Sequence, residues 1–275
     1  MKETLLFLAT PAVASILLAV MLGYFGNHIL ARGIIFIDIA IAQIAALGTL
    51  IGLLLGFAEQ SVQIQVISYL VTLFVIGGFA FHRKKSRTIP SEAVIGIIYC
   101  LGLALAILFS EKIPGGSNYI TKAITGNILW VTWKNVLILG LIFAGIGLVH
   151  LPVARDLQIL SDHMDEGDPA LRINSTLLNL LFYITFGVVV VKAVQIGGIF
   201  LVFTLLIAPS VAASMFMKSW KGKLIWTWIL GVTGTLSGIL LSYFLNISNG
   251  PAIVCLLGLL AFGQALLRLF RPSKT

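Results

Sequence analysis

The stretch FIDIAIAQIAALG, residues 36–48, sets two polar side chains, Asp38 and Gln43, in an otherwise apolar run. A carboxylate and an amide offer oxygen donors that suit a cation, and a carboxylate can also carry a proton or gate a path. Placing an ionisable group within a membrane span costs at least about 2.5–3.5 kcal/mol, which makes Asp38 a candidate functional residue. It is also a candidate metal ligand. Asp38 lies only about 8 Å along a helix from Gly33, so pairing with Arg32 near an interface is the structural alternative. Gln43 sits deeper, and a bundle-stabilising hydrogen bond is its structural alternative. Five positions on a helix separate the two by about 140°, so they do not form a tight pair by themselves.

The elements that position them are read from composition. The chain has 275 residues, is 59% hydrophobic and only 10% charged. Soluble domains carry about 25% charged residues. A mean hydropathy of +1.07 points the same way. The expectation is an all-α, polytopic transmembrane bundle of about eight or nine spans, with residues 1–275 forming one domain in the lipid bilayer. The first apolar stretch is too long for a signal-peptide core and lacks a basic start. Cys100 and Cys255 fall in apolar runs and read as packing residues. The net charge of +8 is explained by basic residues flanking spans, not by nucleic acid.

Nine stretches are long and apolar enough to cross the hydrocarbon: 5–25, 33–56, 62–81, 93–110, 129–151, 173–192, 197–217, 224–245 and 250–267. The seventh begins at Gly197-Gly198 and contains Pro209, so a broken or re-entrant backbone is expected there. Thirteen Lys and Arg fall in one set of loops and five in the other. The first set is therefore expected to face the cytoplasm, with the C-terminus inside and the N-terminus outside. Gly48, Gly52 and Gly56 form one stripe, and Gly234 and Gly238 another, as close helix packing in lipid requires.

The loop ARDLQILSDHMDEGDPALRIN, residues 154–174, is different. It holds five acids against two arginines. DEGDPALR reads as the start of a short helix, with Asp168 as cap and Pro169 in the first turn. A helix there could dock on a soluble partner. His163 with Asp165, Glu166 and Asp168 offers no tetrahedral ligand set. The other histidines, His28, His82 and His150, read mostly as loop or span-end residues. No GxxxxGK[ST], HExxH or GxSxG is present, so the chain has no phosphate loop, zincin site or nucleophile elbow of its own.

Several stretches carry a family resemblance: ARGIIFIDIAIAQIAALG (31–48), SEAVIGIIYCLGLALAILFS (91–110), ITGNILWVTWKNV (124–136), VQIGGIFLVFTLLIAPSVAASMF (194–216) and YFLNISNGPAIVCLLG (243–258). The chain resembles the membrane permease of the metal-type ABC importers, which take up zinc, manganese or iron. The resemblance covers most of the length. It includes the vG-lLv-alLi-PaatA and tGpaIV runs in their usual order.

The resemblance implies a permease that pairs with a second copy of itself and carries no cofactor. ATP is bound and hydrolysed by a separate ABC ATPase subunit, and an extracytoplasmic substrate-binding protein delivers the ion. It implies that Asp165, Glu166, Gly167, Asp168, Pro169, Ala170 and Leu171 form the coupling helix against the ATPase. It makes Gly197, Gly198 and Pro209 expected hinge residues. The family commonly carries Gly-Asp-Ala-x-Ser-His in the second span, whose Asp and His contact the ion. Here Gln43 takes the His slot, Ile39 the Asp slot, and Asp38 stands one position early. The alternative function is a gradient-driven secondary transporter or channel with Asp38 as its coupling group.

Overall fold

A computed structural model of the chain describes residues 2–59, 61–85, 90–126, 128–163 and 170–269. The elements are α1 (Lys2–Arg32), α2 (Ile37–Leu54), α3 (Val62–Lys85), α4 (Ser91–Ser110) and α5 (Gly116–Thr125). A 3-10 turn follows at Ile128–Trp130. Then come α6 (Trp133–His150), α7 (Ala154–His163), α8 (Ser175–Phe216), α9 (Trp220–Leu245) and α10 (Asn249–Leu269). Eight of these helices are long and apolar enough to span a membrane. The chain is an all-α, multi-pass membrane bundle.

Eight helices carry the nine expected stretches because α8 holds two of them. Its 42 residues are broken at Gly198, which has φ 77° and ψ 167°. That region is open essentially to glycine alone. The two arms, 175–197 and 199–216, run in opposite directions. On the first arm, Asn179 accepts a bond from Arg32 at the end of α1. On the second, Leu206 and Ser210 press against Gly26, again near that end of α1, whereas Gly197 sits by Leu18, farther up. The chain therefore reverses at Gly198. At a helical rise of 1.5 Å per residue the arms are about 34 and 27 Å long, close to one hydrocarbon thickness each.

With this reversal the bundle has two distinct ends. One holds Arg32, Ser161 and Asn179. The other holds α5, Gly126, the Gly198 turn and Gly250. α8 is the central element, packing against α1, α2, α3, α5, α9 and α10. Its core side chains include Phe182, Phe186, Val190, Leu201 and Leu205, all at or near full burial. In lipid there is no hydrophobic force between helices, so close backbone approach must hold them. Gly48 and Gly52 meet this need: a Cβ at either would lie 2.7 Å from α3 atoms of Ser68 or Ile64. Gly56 does not extend the stripe. It lies beyond the end of α2, with φ 86° and open space around it.

Two of the sequence-based expectations need correction. α1 continues to Arg32, seven residues past the expected end. Phe25 and Ile29, one turn apart, are fully buried and carry the helix onward. Cys100 and Cys255 are free and exposed on the outside of the bundle, so they are not core packing residues. His150 is the last residue of α6 and His28 lies near the end of α1, span-end positions as expected, and both are buried, 3% and 1% exposed.

Candidate functional site

α2 carries both polar residues singled out by type. It starts after Phe36, which provides no side-chain cap. The unsatisfied amides and positive dipole end of a first helical turn favour a carboxylate, and Asp38 occupies that turn. It is 1% exposed. Among the described residues neither carboxylate oxygen has a side-chain partner, and the polar groups that reach it are the amides of Asp38 and Ile39. It does not pair with Arg32.

Gln43 is about 7.5 Å farther along the helix and turned away. It opens into a narrow cleft shared with Tyr119, Ile120, Ala123 and Ile124 of α5 and with Ile199, just past the α8 reversal. Asp38 does not line this cleft. The two residues thus face different surroundings, as their 140° separation requires. A carboxylate and an amide without imidazole or thiolate favour harder cations over soft ones. Among the described residues no group of three His, Cys, Asp or Glu is placed to hold a metal ion.

A polar network missed by sequence reading fills the other end. Arg32 Nε donates to Ser161 Oγ at 3.0 Å, and its Nη1 donates to Asn179 Oδ1 at 2.8 Å. Its guanidinium lies 4.0 Å from the centre of the Phe182 ring. Ser161 Oγ donates to the Leu157 carbonyl, so the His28 Nδ1 contact at 2.9 Å is read with His28 as the donor. A second chain is ordered in the same way. Thr185 donates to the Leu181 carbonyl and so accepts from His150 Nε2 at 2.8 Å. His150 Nδ1 then accepts from the Tyr24 hydroxyl at 3.0 Å. These bonds tie α1, α6, α7 and α8 together. The available signal was the set of polar residues near span ends, but their partners lie up to 147 positions away. Lys192 was another miss. It was counted with a span end, yet it is 6% exposed within the first arm of α8.

The connection between α6 and α8 also departs from expectation. Its helix is α7, upstream of the expected start. Asp165, Glu166, Gly167, Asp168 and Pro169 lie outside the described residues. Ala170 is a turn residue and Leu171 through Asn174 form no helix, so the expected continuation through Ala170 and Leu171 does not occur. Asp156 is fully buried and takes Arg172 at 3.1 Å, with Arg172 Nε donating to both carboxylate oxygens at 3.2 Å. This pair closes the far side of the connection back onto α7.

Of the expected hinge residues, Gly197 and Gly198 are where α8 breaks, and Pro209 lies inside the second arm. At the same end α5 touches the connection between α2 and α3. Lys122 Nζ is 3.6 Å from Glu59 Oε1. The Tyr119 hydroxyl also donates to Glu59, and burial first, then this carboxylate, pushes the phenol above its usual range.

The chain as a whole is similar to known proteins. The manganese transport system membrane protein MntC of Listeria monocytogenes is 23% identical, over 98% of this chain and 92% of its own. The manganese import system permease protein ScaB of Streptococcus gordonii is 25% identical, over 90% and 86%. The solved structure of PsaBC from Streptococcus pneumoniae in complex with Fab matches the fold with a TM-score of 0.75 at 24% identity, covering 98% of this chain and 92% of that one. A model of the ABC 3 transport family matches residues 4–268, nearly the whole length, and the chain belongs to that family.

Proposed function

We propose that this chain is the membrane permease of an ABC importer that moves a divalent transition metal ion inward across the cytoplasmic membrane. Manganese, iron and zinc are the candidate ions. The manganese transport of the relatives and the oxygen-only character of Asp38 and Gln43 favour manganese. The family match over residues 4–268 carries this reading. The chain acts as one permease unit and holds no ATP itself. An ABC ATPase subunit hydrolyses ATP, an extracytoplasmic binding protein supplies the ion, and a second copy of this chain completes the path. The basic-rich loops put the Arg32 end and the C-terminus in the cytoplasm.

In this reading the ATPase docks on the connection containing α7, through residues 165–171. ATP binding favours one of two packings of the bundle, and the ion follows the exchange between them. The Gly197-Gly198 break and Pro209 absorb the movement, and Asp38 and Gln43 contact the ion or gate its path. A gradient-driven transporter is the competing class, because an unpartnered buried carboxylate such as Asp38 suits proton coupling.

Coexpression with a candidate ABC ATPase partner separates the two. A stable membrane complex that hydrolyses ATP is expected, with metal uptake lost on ATP depletion. Uptake that survives ATP depletion and collapses with an uncoupler would overturn the ABC reading.

A further inference from the structure

α5 is a short amphipathic helix whose two sides are held very differently. Its inner side, through Tyr119, Ile120, Ala123 and Ile124, covers the cleft into which Gln43 opens. Its C-terminal end is fixed by backbone contact. Gly126 has φ 72° and ψ −179° and lies directly against the Gly197 carbonyl and the Gly198 amide, while Gly250 abuts the Thr125 carbonyl. No side chain fits between these strands of backbone. On the outer edge the contact is with Glu59. That residue accepts from Tyr119 and pairs with Lys122, with side chains 51% and 62% exposed. Exposed ion pairs of this kind are weak and exchange readily with water.

The N-terminal end is held as well, with buried Gly116 against the Ser110 carbonyl at the end of α4, so α5 is a helix pinned at its ends whose weakly held outer edge can tilt away from the bundle. We propose that α5 is the cover of the Gln43 cleft, hinged at Gly126 on the α8 reversal, and that Glu59 is the residue that positions it shut through Tyr119 and Lys122. The role of the cleft as the ion's path rests on the permease reading; the covering itself does not. Because Gly126 rests on Gly197 and Gly198, any change in the angle between the two α8 arms is passed to α5. The opening of the cleft is thereby tied to the packing state of the bundle.

The test measures access to position 43 and needs neither ion nor ATPase. Its failure is therefore distinguishable from failure of the importer reading. Cys100 and Cys255 are replaced by Ser, Gln43→Cys is introduced, and intact cells are treated with a membrane-impermeant maleimide. Labelling is expected to be slow with Glu59 present. With Glu59→Ala it is expected to be roughly five- to tenfold faster, the shift in opening from losing one exposed ion pair and one hydrogen bond. Lys122→Glu should speed labelling as well, by like-charge repulsion of Glu59, and the exchanged pair Glu59→Lys with Lys122→Glu should slow it again. The exchanged pair keeps the test readable if Glu59→Ala fails to insert. Equal labelling across these forms, whether fast, slow or nil, would overturn the proposal.

Discussion

Arg32 on α1 and Ser161 on α7 meet 3.0 Å apart, nitrogen to oxygen, at a point where both side chains are buried. The contact joins the first long helix to the only helix in the connection between α6 and α8 among the described residues. His28 and Asn179 complete the junction. A guanidinium in this setting is tolerated because its Nε and Nη1 donate to Ser161 and Asn179 and its face lies on Phe182. Anything that moves α7 therefore moves α1 and the first arm of α8.

Removing that junction has a defined cost. Arg32→Ala loses two charge-assisted bonds, each worth about 1.5–3 kcal/mol, and the contact with Phe182. It is expected to lower the detergent unfolding temperature markedly. Arg32→Lys should recover only part of this, since an ammonium cannot reproduce the planar fork. Fluorescence-detected size exclusion after heating gives the ranking, and equal stability of Arg32→Ala and the parent would remove the junction from the account.

Asp38→Asn separates structure from function by opposite signs. A neutral amide removes the charge that a span penalises and loses only part of the favourable first-turn interaction, so the variant should be about as heat-stable as the parent or more so. Metal uptake should nevertheless fall by about tenfold, the loss expected from one weakened contact of ~1.4 kcal/mol along the path. Unchanged uptake with raised stability would return Asp38 to a passive role.

Gln43 governs which ion is preferred. Gln43→His adds an imidazole donor, which suits zinc and related ions better than an amide oxygen does. The ratio of zinc to manganese uptake is expected to rise, measured by elemental analysis of cells grown with both. A ratio that does not move would show that Gln43 is not in contact with the ion.

Gly198→Ala should be among the most damaging single changes. The position has φ 77° and ψ 167°, a conformation that costs a residue with a Cβ about 1–3 kcal/mol. The added Cβ would also strike the backbone of Gly126. Loss of the folded, monodisperse species is expected. Gly56→Ala faces open space and carries only the strain of φ 86°, so it should be the milder of the two.

Much of this bundle was legible because lipid imposes one rule: long apolar runs become helices. The runs at 62–81, 93–110 and 250–267 appear as α3, α4 and α10 within a few residues. The break in α8 was also legible at Gly197-Gly198, where Gly198 leaves helical geometry, whereas Pro209 sits inside the second arm. What was hidden depends on distance along the chain. Asn27 and His28 look like the end of a span until Thr227 and Ser161, far away in sequence, supply their partners. α5 was missed for a different reason. GSNYITKAIT is too short and too polar to span, and its amphipathic side acquires meaning only from the cleft it covers. Asp38 and Gln43 were legible as polar residues, but only the fold shows that they face different environments.

The central claim is that the α7 end meets the nucleotide-consuming partner inside the cell while the α5 end meets the incoming ion outside. Thiol labelling on intact cells tests it most directly, with Cys100 and Cys255 replaced by Ser and single cysteines placed at exposed Lys122 and Asp162. Lys122→Cys is expected to react with an impermeant maleimide on whole cells, and Asp162→Cys only after permeabilisation. Reaction of Asp162→Cys on whole cells, with Lys122→Cys protected, would contradict the account.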